Sequence, residues 1–286
     1  MSKVRAYILR MAGLSTTTLK VLRVCNEPDT SANTLNRVIS LDPVLTGRVL
    51  QLVNSAYYSL PSKVSSLTRA IILLGINTVK NVVLSFALFE SFSKQDAFRA
   101  FSADGFWAHS LSVAVAAKLL AAEQGVPASE REDYFVAGLM HDIGKIPLNH
   151  LFPDDYRQAA QWAHSSDAPM YEAEQAVIGI GHGEVGGVIA KRWELGPMLA
   201  EALSLHHEPP SPRHNGVRLV GVVALADVLT HTMGAGIPGG GGDGEAAGHR
   251  TLEAWGLSPE TVAALAAAVA REIEKAQVFL EIAGRE

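Results

Sequence analysis

The chain has 286 residues, 48% of them hydrophobic and 19% charged, with a net charge of −5. That length suits one large domain or two modest ones, and the composition is globular, with enough Leu, Val and Ala for a core. Cys25 is the only cysteine, which excludes an intrachain disulfide and any Cys-based zinc cluster and suits a reducing compartment.

The N-terminus, MSKVRAYILRMAGLSTT, lacks the long apolar core of a signal peptide. Apolar runs such as VVLSFALF fall short of the roughly 20 residues a membrane span needs. The expectation is therefore a cytoplasmic protein with no membrane segment. Charge is uneven: residues 1–100 hold 12 Lys or Arg against 5 Asp or Glu, and residues 101–286 hold 12 against 24. Such asymmetry predicts two regions with different surfaces.

Helical periodicity dominates and no convincing run of alternating strand residues occurs, so an all-α, two-lobed fold is expected. The N-terminal lobe, residues 1–100, reads as short helices. TLNRVISLD leads into PVLTGRVLQLVNSAYYS, with Asp42 as N-cap and Pro43 at the first helical position. SLTRAIILLG follows, closed by Gly75, and then INTVKNVVLSFALFESF. The spacing around Asp42 permits a helix–turn–helix. However, its second helix carries Arg48 as sole basic residue, which argues against sequence-specific DNA binding.

The second lobe is expected over residues 101–233, with the boundary near 94–104. DGFWAHSLSVAVAAKLLAAEQG reads as a helix capped by Asp104 and closed by Gly125. SEREDYFVAGLMHDIG opens with Ser129 and Glu132 at capping-box spacing and closes at Gly144. Three further helical stretches are MYEAEQAVIGIGHGEVGGVIAKRW, GPMLAEALSLHHEPP and GVRLVGVVALADVLTHTM. Residues 234–250 read as a flexible loop, with eight glycines in the fifteen residues from 234 to 248. A helical extension over 251–286 begins its last helix at Ser258-Pro259.

Several of these helices carry a histidine or a carboxylate where an apolar residue belongs. Asp142 falls on the apolar stripe of Phe135 and Leu139, where an unpaired charge is costly, and His141 lies about 100° round the same helix. His109 shares a stripe with Val113, Ala116 and Leu120. His182 starts a Gly-rich helix, His206 and His207 end another, and Asp227 sits inside VGVVALADVLTH. Each has a bland explanation alone, as a satisfied core group or a helix-terminus charge. Five successive helices delivering them predict a shared centre for a divalent transition metal, with Fe, Mn, Zn and Ni not distinguished by imidazole and carboxylate ligands.

The order His109, His141-Asp142, Asp227 resembles the HD superfamily of metal-dependent phosphohydrolases. HDIGK, then His182, HHE and ALADVLTH resemble the HD-GYP branch, which cleaves cyclic di-GMP. Over residues 15–232, the signature LDPVL, LVNSAYYS and AIILLG resembles the HDOD domains, the HD-related output domains of bacterial signalling. The resemblance implies that Asp142 bridges two ions, with His109, His141 and Asp227 on one and His182, His206 and His207 on the other. Two such ions would activate water for attack on phosphorus, and Lys145 would neutralise a phosphate oxygen. The alternative for Lys145 is a surface lysine at a helix end. Glu208 and His231 are open between orienting a ligand and lying at the surface, and His150, His164, His214 and His249 are assigned nothing.

Departures from these families matter: HDOD domains commonly lack part of the HD metal set, whereas this sequence keeps all of it. The GYP signature after HHE is replaced by PPSPRHNG, and Gly105 stands where some HD-GYP enzymes offer a glutamate to a third metal. A binuclear centre is thus the most the resemblance implies, and cyclic di-GMP is a poor fit as substrate. Expected partners are a signalling protein or a phosphorylated small molecule, with metal-dependent hydrolysis of a nucleotide or cyclic nucleotide set against a non-catalytic output module.

Overall fold

The computed structural model describes residues 1–11, 13–92, 97–208, 218–235, 252 and 255–284. All regular elements among them are helices. First in chain order are α1 (Ser2–Arg10), α2 (Thr16–Cys25), α3 (Ala32–Ile39), α4 (Pro43–Val53), α5 (Leu67–Leu74) and α6 (Ile76–Ser91). Then come α7 (Ala103–Glu123), α8 (Arg131–Met140), α9 (Lys145–Leu151), α10 (Pro153–Ser166), α11 (Met170–Val177), α12 (His182–Arg192), α13 (Pro197–Leu205) and α14 (Arg218–Thr232). The C-terminal extension supplies α15 (Pro259–Ala276) and α16 (Val278–Ile282).

Local chemistry sets many of these ends. Asp42 accepts from the Leu45 N–H at 3.0 Å, with Pro43 opening α4. Gly75, at φ +88°, lets the chain turn through 114° between α5 and α6. Ser258 caps α15 through the Thr261 N–H at 3.2 Å. Two expected caps are different. The cap of α7 is Ser102, whose hydroxyl accepts from Gly105 N–H at 3.3 Å, and Asp104 lies in the first turn instead. The capping box at Ser129 and Glu132 does not form, because Glu132 is buried and ion-paired with Lys118 of α7. The inter-helix pair takes the carboxylate that a local cap would have used.

The helix expected to close at Gly144 stops at Met140. Residues 141–144 form a turn before α9. Gly144 is nonetheless required: a Cβ there would strike the His182 carbonyl oxygen and come within 2.7 Å of Gly186 N. It therefore permits the approach of α12. PPSPRHNG and the loop segment 236–250 lie outside the described residues, as do 93–96 at the expected lobe boundary.

At the centre stands α7, packed by α8, α14 and α15, while α6 leans on α8. Alone among the described helices, α7 is by itself long and apolar enough to cross a membrane, contrary to the reading from apolar runs. It is the core helix, with 72% of its most apolar window buried. The apolar core runs as one cluster from Val4 to Ile282. The extension joins it through Phe279, 1% exposed, against the rings of Tyr57, Phe86 and Phe135.

Candidate metal centre

The packing of α7 on α8 brings the first ligand candidates together. A Cβ on Gly138 would meet Ala114 Cα at 2.8 Å, so glycine lets the two helices close. His109 lies on the α7 stripe with Val113, Ala116 and Leu120, all 0% exposed. His141 and Asp142 occupy the turn after α8, buried at 0% and 1%. Asp227 projects from the middle of α14, which packs on both α7 and α8.

These residues form a contact set. His109 Nε2 lies 3.2 Å from Asp227 Oδ1 and 3.6 Å from Asp142 Oδ2. His141 Nε2 lies 3.4 Å from Asp142 Oδ2 and 3.6 Å from Asp227 Oδ1. On the other side of Asp142, Oδ1 is 3.2 Å from His182 Nε2 and 3.8 Å from His206 Nε2. His207 Nε2 stands 2.9 Å from His182 Nε2. The seven residues singled out in the sequence thus form two groups: Asp142 with His182, His206 and His207, and His109 with His141 and Asp227. In each group one ligand atom per residue lies within 4.8 Å of the others. Imidazole and carboxylate so arranged are the donor set of a divalent metal site.

Hydrogen bonding aims the imidazoles inward. Nδ1–H donates to Ala235 O in His109 (2.9 Å), to Gly138 O in His141 (2.7 Å) and to Ala202 O in His206 (3.2 Å). In His182 it donates to Glu174 Oε2 at 2.6 Å. A neutral imidazole with its proton on Nδ1 presents the Nε2 lone pair to a cation. His109 Nε2, His141 Nε2, Asp142 Oδ1 and Asp227 Oδ1 are buried without a hydrogen-bond partner. Buried polar atoms in native proteins are rarely left so. Three of these orphans, on His109, His141 and Asp227, share one group and fit a bound ion, and Asp142 Oδ1 opens toward the other group.

Electrostatics agrees. Burial opposes the charge on both carboxylates, but nearby cations outweigh it. Asp142 is held well below the carboxylate range by His141 and Lys145, and Asp227 by His231. Burial lowers His141 while Asp142 and Asp227 raise it more, to about 10. A place that holds a proton so firmly attracts positive charge. Burial, with neighbouring imidazoles, pushes His206 down to about 3 and lowers His207 well below its ordinary value.

The least expected residue is Glu174. It is 0% exposed, and its Oε2 accepts from both the Nδ1–H and the backbone N–H of His182, at 2.6 and 2.7 Å. It fixes the ring and satisfies a free amide at the start of α12. The signal was present in the sequence: Met170, Ala173, Glu174 and Val177 form an inward stripe on α11, where a carboxylate needs a partner. Lys145 is not a surface lysine. It is 4% exposed, with Nζ 2.6 Å from Asp142 Oδ2. His231 leans on Asp227, with Nδ1 3.1 Å from Oδ1 and 3.0 Å from the backbone O. Glu208 is exposed on the wall of a cavity of about 740 Å³ that also meets Trp162, Tyr171, Glu172, Glu184 and His207.

Comparison with known proteins places this architecture. The HDOD domain family matches residues 11–209, and the chain belongs to that family. A crystal structure of an HDOD domain protein of unknown function from Geobacter sulfurreducens superposes with a TM-score of 0.72 at 25% identity, covering 98% of this chain and 97% of that one. A structure from Shewanella amazonensis SB2B, provisionally named a phosphohydrolase, shares the fold with a TM-score of 0.71 at 21% identity, covering 97% and 98%. An uncharacterized protein of Treponema pallidum is 22% identical over 220 residues, which are 77% of this chain and 42% of that protein. The chain thus spans about two fifths of that relative's length.

Proposed function

We propose that this chain is a bacterial signal-transduction output protein whose helical core holds two divalent ions. Asp142 would serve both ions, with His109, His141 and Asp227 holding one and His182, His206 and His207 the other. The observation that supports this best is the convergence of buried, partnerless ligand atoms with histidine rings already turned by their Nδ1–H bonds. Bound ions supply Lewis acidity and positive charge for a phosphorylated ligand. Glu174 orients His182, His231 steadies Asp227, and Lys145 offers an ammonium to a phosphate oxygen.

The N-terminal lobe then serves recognition of a signalling protein or of the ligand, and not the reading of DNA. Arg48, the lone cation on the second helix of the helix–turn–helix candidate, is ion-paired with Glu90. The proposed setting is cytoplasmic.

A second reading is phosphohydrolysis of a nucleotide or cyclic nucleotide at the same centre. The cavity meeting His207 favours it, because Tyr171 stacks on that imidazole at 4.6 Å and Trp162 lies beside them. The provisional name of the Shewanella protein points the same way. The described lining includes Glu172, Glu184 and Glu208 but no Lys or Arg, so a phosphate there relies on the ions and Lys145 for positive charge. Metal analysis of protein purified without chelator is the test, followed by a screen of phosphodiesters and nucleotides. At least one equivalent of transition metal is expected, and its addition raises the melting temperature. Less than one equivalent with no shift on adding Mn, Fe or Zn sinks the proposal. Metal with no turnover leaves the output module and defeats the hydrolase reading.

A further inference from the structure

The two oxygens of Asp142 have different surroundings. Oδ1 faces His182 and His206 and has no hydrogen-bond partner. Oδ2 faces His109 and His141 and is already held by Lys145 at 2.6 Å. This lysine is buried, and the negative charges of Asp142, Glu174 and Asp227 all act on it. An ammonium and a divalent ion seek the same lone pairs, and two cations repel strongly at low dielectric. One group of ligands therefore has a resident cation on its shared carboxylate oxygen, while the other has that oxygen free.

Resting on the metal-centre reading above, we propose that Lys145 is an internal counter-cation that makes the two ion positions unequal. It weakens chiefly the ion held by His109, His141 and Asp227, whose shared Oδ2 it occupies, and weakens the ion held by His182, His206 and His207 less. An ion in the first position competes with the ammonium for Oδ2 and is repelled by its charge. Lys145 thus acts as a competitor for metal before it meets any phosphate.

The test titrates full-length, chelator-stripped protein with Mn²⁺, following free ion by electron paramagnetic resonance. The parent is expected to show two classes of site differing by roughly tenfold or more, the scale on which a close charge shifts cation binding. Lys145→Met should tighten the weaker class by about tenfold and move the stronger by less than about threefold. Asp227→Asn should abolish the weaker class and retain the stronger one. Lys145→Gln keeps a hydrogen-bond donor for Asp142, and it should tighten the weaker class by at least about threefold. This variant decides the matter if the methionine variant fails to fold. The inference is overturned if neutralising Lys145 leaves the weaker class unchanged, or if Asp227→Asn removes the stronger class. Parent protein that binds no Mn²⁺, Fe²⁺ or Zn²⁺ at all overturns the metal centre itself, whereas two ions indifferent to Lys145 overturn only its role as competitor.

Discussion

Glu174→Gln removes one charge from a side chain that is 0% exposed and whose Oε2 accepts two hydrogen bonds from His182, at 2.6 and 2.7 Å. A hydrogen bond to a charged group contributes about 1.5–3 kcal/mol and a neutral one about 0.5–1.5, so each bond loses about 1–1.5 kcal/mol. For two bonds the loss is about 2–3 kcal/mol. At roughly 2–4 °C per kcal/mol for a chain of this size class, the melting temperature should fall by about 4–12 °C. The same change frees the His182 ring and reduces its basicity, and loss of such a partner typically weakens metal binding about 10–100-fold. Calorimetric metal titration and thermal melts of stripped protein read the two effects separately. Glu172→Gln, two residues away and exposed, is the control and should stay within about 0.5 kcal/mol of the parent. A Glu174→Gln protein that melts with the parent and binds metal within about threefold of it would refute the assignment of Glu174 as the positioning residue of His182.

Asp142→Ala should be the most damaging single change to metal content, because its two oxygens face different ligand groups. Asp142→Asn should lose most of the metal while keeping the shape, as read by plasma mass spectrometry. Gly144→Ala places a methyl against the backbone of α12; overpacking of this kind costs about 1–3 kcal/mol, and it should lower metal affinity by moving His182. Lys118→Met leaves Glu132, 5% exposed, without its ion pair and also breaks the 2.9 Å bond to Tyr57 Oη. With Lys118 itself partly in solvent, the expected loss is about 1–3 kcal/mol, and Glu132→Gln in the same chain should restore part of it. Stripped protein should lose stability as pH falls from 6.5 toward 3. Burial and the neighbouring His141 and His182 charges hold folded His206 down to about 3, against an ordinary 6.5. The unfolded chain then binds more protons in that window, so stability rises with pH across it. Denaturant titrations between pH 4 and 7 check this, and His206→Gln should flatten the slope.

The helical class, several helix ends and the seven ligand candidates are legible in the linear sequence, whereas α9, α10 and the break between α11 and α12 are not. Asp42, Gly75 and Ser258 mark helix ends through local chemistry, which acts over three or four residues and is legible in a linear string. The inward placement of Asp142, His109 and Asp227 was legible for the same reason, since a stripe of period 3.6 names its polar intruder. Glu174 obeys the same rule, but its partner His182 lies eight residues and a turn away, beyond the reach of one helical stripe. Which partner each buried charge takes is set by packing between helices. Glu132 left a local cap for Lys118 across a helix interface. Lys145 turned inward to Asp142, and Gly144 serves a close approach between α9 and α12 where a helix end was expected. The physical reason is that burial makes pairing compulsory without specifying the partner. Choosing between Ser129 and Lys118, or between solvent and Asp142, depends on distances set by packing between segments far apart in the chain.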